Sequence, residues 1–340
     1  MAHQVTIKDI ARQLNISVAT VSRALRDMPD IKPETRQAVL DLAKEWDYQP
    51  NVLATSLVKS RTKTLGVIVP DLGYHFFSAV VKGIEAEAFH RGYSLLLTQT
   101  GESYERELIN LQTLSRGQVE GFIISLSQET SNYEHLKRLQ RKGIPMVFFD
   151  RDAVEIDVSK VMVDNVGAAY EAVQHLLDNG CKKIAILAGP KNVTVSNQRL
   201  EGYKKALKDA GIQVDEALIV HGEYNLEKAI ALTTQLAELN EIPDGLVVVS
   251  DRLAVGSIMA LKAKGIRIPE DVAVVSFNDE PICSLITPTL SSVAQPTAEI
   301  GRMATSLLIN QIEDGEEFYK PQVRVLKTEL KIRESSKRYS

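Results

Sequence analysis

Residues 6–25 read "TIKDIARQLNISVATVSRAL", and the fold of the N-terminal segment turns on how this stretch divides. Ile7, Ile10, Ala11 and Leu14 recur at helical spacing behind Thr6, a residue type that caps helices. Asn15-Ile16 interrupts the pattern, and Ser17 stands where a second helix would be capped at once. In that second helix Val21, Ala24 and Leu25 face inward, which leaves Val18, Ala19, Ser22 and Arg23 outward near its start. Lys32-Pro33-Glu34 then opens a third helix, with proline in its first turn, and Ala38, Val39, Leu42, Ala43 and Trp46 give it an apolar stripe. Three short helices with a tight turn between the first two form a helix-turn-helix unit, whose second helix presents its N-terminal residues to a major groove. The same spacing also suits a small bundle of another kind, and the exposed side chains decide between the two. Arg23 is of the type that reads guanine through two hydrogen bonds, Val18 and Ala19 can touch thymine methyls, and Ser17, Thr20 and Ser22 can donate to phosphates.

The rest of the chain is too long for one core. Its 340 residues, 44% hydrophobic and 25% charged, imply two or three ordinary globular domains. No apolar run approaches the roughly 18 residues that span a bilayer, and "MAHQVTIKDIARQL" lacks the layout of a signal peptide, so a cytoplasmic protein without membrane contact is expected. Cys181 and Cys283 are the only cysteines, which favours reduced core thiols over a disulfide framework. A net charge of -4 argues against wholesale coating of nucleic acid, yet the first 61 residues hold nine Lys and Arg against seven carboxylates. That asymmetry permits local contact with DNA.

From Lys63 onward short apolar strands alternate with amphipathic helices: "TLGVIVP", "YSLLLTQ", "GFIISL" and "PMVFFD", then "KIAILAGP", "DGLVVVS" and "DVAVVSF". This is the pattern of parallel sheets wound in strand-helix-strand units. It also repeats: Gly83 with Gly92 and Gly202 with Gly211 are each nine apart, and "VEGFIISL" matches "PDGLVVVS". Two similar lobes follow, with a cleft at their strand ends suited to a small ligand. Catalysis finds no such support. No G-x-G-x-x-G after a strand, G-x-x-x-x-G-K-[ST], G-x-S-x-G or H-E-x-x-H occurs, and the histidines at 3, 75, 90, 135, 175 and 221 lack metal-ligand spacing. Neither an enzyme nor a cofactor is expected.

The segments 6–25, "IKPETRQAVLDLAKEWDYQPN" (31–51) and "NVLATSLVKSRTKTLGVIVPD" (51–71) follow one another as they do in the lactose repressor family (LacI/GalR), and the likeness runs to the C-terminus. The resemblance implies an α/β protein: an all-α helix-turn-helix headpiece (1–49), a hinge helix and linker (50–62), and a periplasmic-binding-protein-like core of two doubly wound α/β lobes (63–333). The lobes would be 63–162 with crossing segments in 292–326, and 163–291; 334–340 would be a tail. It makes Val18, Ala19 and Arg23 the base-reading positions. It makes residues 51–58 a hinge that folds on DNA, with Asn51, Ala54 and Leu57 toward the minor groove and Leu57 as the wedge. A segment so short is not stably helical alone, and an apolar wedge that unstacks a base step recovers its cost through added contacts. Many members carry arginine where Thr55 stands here, which implies a missing or weaker backbone contact.

For the cleft, the resemblance assigns ligand contacts to Phe76, Phe77, Asp150, Arg199 and Tyr224, and to Ser250, Asn278 and Asp279 near two strand ends. An Asp acceptor, a planar Arg donor and aromatic faces suit a hydroxyl-rich ligand. Asn278 replaces a usual Asp, Ser250 a frequent Asn, and Val193 and Val195 replace polar groups of purine-binding relatives. The implied effector is therefore a sugar or sugar derivative. The implied protein is a homodimeric regulator of a pseudo-palindromic operator, usually a repressor in this family, with inducer or corepressor left open. The competing reading is a cytoplasmic sugar-binding carrier whose N-terminal helices have no DNA function.

Overall fold

The structure, a computed structural model, describes residues 5–48, 62–315 and 319–338. The chain divides between Thr62 and Lys63 into two compact units. In the first, α1 (Ile7–Gln13), α2 (Val18–Leu25) and α3 (Pro33–Glu45) enclose Ile10, Ala11, Val21, Ala24, Val39 and Ala43. Asp9 accepts from the Thr6 backbone N–H at 2.9 Å and from its hydroxyl at 2.6 Å, which ties down the start of α1. Asn15, at φ 51°, makes the turn, a conformation asparagine tolerates better than most residues. One expected core position is wrong. Ala38 is exposed, because Val39, Leu42, Ala43 and Trp46 already occupy the i, i+3, i+4 and i+7 positions of the inward face.

In the second unit two six-stranded sheets are seen among the described residues. The first lobe holds β1 (Thr64–Val69), β2 (Ser94–Gln99), β3 (Gly121–Ile124), β4 (Met146–Phe149), β5 (Ser159–Val163) and β11 (Val323–Leu326), ordered β11-β5-β4-β3-β1-β2 and parallel throughout. The second holds β6 (Ile184–Leu187), β7 (Ile219–Val220), β8 (Gly245–Val248), β9 (Ala273–Asn278), β10 (Ser291–Ala294) and β12 (Glu329–Lys331), ordered β12-β10-β9-β8-β6-β7, with only β12 antiparallel. The two orders correspond strand for strand except at that edge. Around the sheets pack α4 (His75–His90), α5 (Tyr104–Leu114), α6 (Glu134–Arg141) and α11 (Thr297–Asp314) on the first lobe, and α7 (Asn165–Asp178), α8 (Thr194–Asp209), α9 (Leu226–Ala237) and α10 (Asp251–Ala263) on the second.

The glycine repeat has a physical basis. A Cβ on Gly83 would strike the Ala298 carbonyl of α11, and one on Gly202 the Val166 carbonyl of α7, so both mark close helix crossings. Gly92 and Gly211, at φ 72° and 73°, end α4 and α8 in matching turns, each closed by the next residue's N–H on a carbonyl five back.

The lobe boundaries differ in detail from those expected. Residues 292–294 still pair with β9, so the return to the first lobe begins after Ala294. The supposed tail is no tail over its described part: Ser335 and Ser336 are fully buried, Ser335 Oγ donates to the Val274 carbonyl at 2.7 Å, and Arg338 donates to the carbonyls of Pro269 and Asp244. Hydrogen bonds to strand-end carbonyls give this polar segment its place. Cys181 and Cys283 are both buried free thiols, and burial pushes the Cys181 thiol up to about 11. Among the described residues no helix is long and apolar enough to cross a membrane.

Candidate nucleic-acid interface and ligand cleft

On the N-terminal unit, α2 starts at Ser17, whose Oγ accepts the Thr20 backbone N–H at 3.0 Å and also meets the Thr20 hydroxyl at 2.8 Å. Both hydroxyls that were expected to serve phosphates are thus first engaged with each other and with the helix end. Val18, Ala19 and Arg23 are exposed, and Thr20 and Ser22 are half-buried. Arg23 donates to Asp30 at 3.1 Å across the turn after α2. An exposed pair of this kind contributes about 0–1 kcal/mol, so it can be broken at little cost. Asn51, Ala54 and Leu57 lie outside the described residues.

In the second unit the ends of β1, β4, β8 and β9 converge on a cleft between the lobes, as open α/β sheets place their ligand sites. It is lined by seven of the eight expected residues: Phe76, Phe77, Asp150, Arg199, Tyr224, Ser250 and Asn278. Asp279 is the exception. Asn278 and Asp279 both have positive φ, 112° and 54°, and this twist turns Asp279 away to Arg333 at 2.7 Å while Asn278 stays in the cleft. Val195, read as an apolar replacement at a ligand position, also lines it, and three further lining residues went unassigned: Tyr74, Arg151 and Val249. Arg151 was detectable in principle, since in "FFDR" it follows Asp150 directly; nothing in the local pattern marks Tyr74.

Each polar group in the cleft has a second anchor. Arg199 is buried, donating from Nε to Asn165 Oδ1 at 3.0 Å and from a terminal nitrogen to the Val249 carbonyl at 2.5 Å, with its guanidinium 4.3 Å from the Phe277 ring. Burial lowers its pKa, and no carboxylate stands within salt-bridge distance among the described residues. Arg151 by contrast donates to Glu102 at 2.7 Å and to the Leu126 carbonyl at 3.2 Å. Asp150, at φ 59°, is 3.8 Å from Arg151; burial raises its pKa against the opposing pull of Arg151 and Arg199. Asn278 accepts from Gln295 at 2.7 Å, and the Tyr224 hydroxyl meets Ser196 at 2.9 Å. Behind the wall, the buried Asp251 carboxylate bonds Ser276, Ser292 at 2.6 Å and the Glu280 N–H at 2.7 Å, which fixes the 278–280 loop. Among the described residues no group of three His, Cys, Asp or Glu side chains could hold a metal.

Residues 6–51 match the model of bacterial regulatory proteins of the lacI family, and residues 173–336 that of a periplasmic-binding-protein-like domain. The chain is 34% identical to the ribose operon repressor of Halalkalibacterium halodurans over 98% of its own length and 97% of the relative's. It belongs to the lacI family of bacterial regulatory proteins. Catabolite control protein A of Priestia megaterium is 33% identical, over 89% of this chain and 91% of that protein. A solved complex of the transcriptional regulator CelR with cellobiose superposes with a TM-score of 0.75 at 30% identity, covering 97% of this chain and 99% of that one. As a lacI-family member the chain is a DNA-binding transcriptional regulator with a helix-turn-helix unit and a two-lobed core.

Proposed function

We propose that the protein is a homodimeric repressor whose affinity for a pseudo-palindromic operator is set by a sugar or sugar derivative bound between its lobes. The observation that carries the effector half is the convergence of Arg199, Asp150 and Asn278 with Phe76, Phe77 and Tyr224 on one cleft. Donors and an acceptor on anchored side chains satisfy hydroxyls, while ring faces cover the apolar C–H surface of a sugar. Two relatives are named for ribose and crystallised with cellobiose respectively, which supports the ligand class.

On the DNA side, Val18, Ala19 and Arg23 read base edges, Ser17, Thr20 and Ser22 contact phosphates, and Leu57 acts with Asn51 and Ala54 in the minor groove. Two copies place one recognition helix in each operator half-site. The protein acts in the cytoplasm, where its DNA lies.

Enrichment of a randomised DNA pool by mobility shift, at two salt concentrations, tests this reading. Recovery of one pseudo-palindrome that binds less tightly at higher salt supports it. A chain that binds sugars but enriches no sequence is the carrier instead.

A further inference from the structure

Two contacts cross from the second lobe to Tyr74 at the start of α4. The Tyr74 hydroxyl donates to the Tyr224 backbone carbonyl at 2.6 Å, and the Arg252 guanidinium lies 4.9 Å from the Tyr74 ring. Elsewhere along the lobes Asn192 Nδ2 donates to the Gln128 carbonyl. The cavity left inside is about 40 Å³, against the roughly 300–1,000 Å³ of ordinary ligand pockets. We propose that Tyr74 forms a latch that holds the lobes together by direct protein contact and so biases the balance between closed and open forms. The latch's meaning for regulation rests on the effector reading above; its existence does not.

The consequence is quantitative. A ligand shifts the lobes only by its differential affinity for the open and closed forms, and a latch sets the balance from which that shift starts. Tyr74 is a positioning residue here: its ring lines the cleft and its hydroxyl spans it.

The test reads lobe separation directly, with no ligand. Spin labels on Thr113→Cys and Lys208→Cys, both exposed and on opposite lobes, report intrachain distances when labelled chain is diluted into an excess of unlabelled chain; Cys181 and Cys283 are buried and stay unlabelled. Tyr74→Phe, which keeps the ring and removes the hydroxyl, should raise the open-to-closed ratio about fivefold, the factor of one net hydrogen bond, and Tyr74→Ala should raise it further. Distances unchanged in both Tyr74 variants would overturn the latch. Sugar titrations of the same samples keep the two readings apart, because absence of sugar binding with an intact latch response counts against the effector reading alone.

Discussion

Arg199 brings a guanidinium into a buried site where its near partners are a side-chain amide, a backbone carbonyl and a ring face. A charge so placed is satisfied only when the cleft supplies further acceptors, which is what a polyhydroxylated ligand does. Arg199→Ala should therefore weaken effector binding by about 2–4 kcal/mol, on the scale of losing charge-assisted hydrogen bonds at a buried site, and leave operator affinity without effector within twofold. Calorimetry and mobility shift check the two halves; an equal loss in both would mean a folding defect. Arg23 is the complementary case. Arg23→Lys keeps the charge and loses the fork, so operator affinity should fall by about 1–3 kcal/mol with relaxed preference at one position of each half-site, read by sequencing bound DNA. How far such residues could be seen in the sequence depended on backbone twist. Asp150 and Asn278 sit where strand ends point them and Arg199 faces inward from α8, whereas the paired positive φ values at Asn278 and Asp279 send the second carboxylate to Arg333. No spacing rule anticipates that reversal, nor the pairing of Arg23 with Asp30 seven residues on.

At the level of helices and strands, the most legible feature was the repeat of glycines, because a close crossing and a left-handed helix end each exclude a side chain. Gly202→Ala should cost about 1–3 kcal/mol through overpacking of α8 against the Val166 carbonyl of α7, seen as a lower urea midpoint without a changed slope. Gly211→Ala, strained by its φ of 73° but with open space around it, should cost less. Ser17→Ala removes the cap of α2 and should lower the stability of the N-terminal unit by about 1 kcal/mol. The C-terminal segment was misjudged for the opposite reason. "ESS" is polar and short, which reads as a solvated end, but its hydroxyls pair with strand-end groups of β9 and β10 and are buried by doing so. Composition records the polarity of a side chain and says nothing of a partner forty residues away.

Across the molecule as a whole, function requires that cleft and operator share one equilibrium. If effector changes operator affinity by some factor, operator must change effector affinity by the same factor and in the same sense, whether the effector is an inducer or a corepressor. Four titrations suffice: effector with and without saturating operator, and operator with and without saturating effector. The two ratios should agree, and a factor of about 5–150 is typical of such coupling. Leu57 is where this cycle can be cut. Leu57→Ala should weaken operator binding, since a wedge that no longer unstacks its step forgoes the contacts that a bent duplex allows. Effector affinity of the DNA-free chain should stay the same, and both ratios should move toward one together. Unequal ratios in the unaltered protein would mean that a third species, such as a change of oligomeric state, enters the equilibrium. Unchanged operator affinity in Leu57→Ala would take the wedge out of the mechanism while leaving recognition by Val18, Ala19 and Arg23 intact.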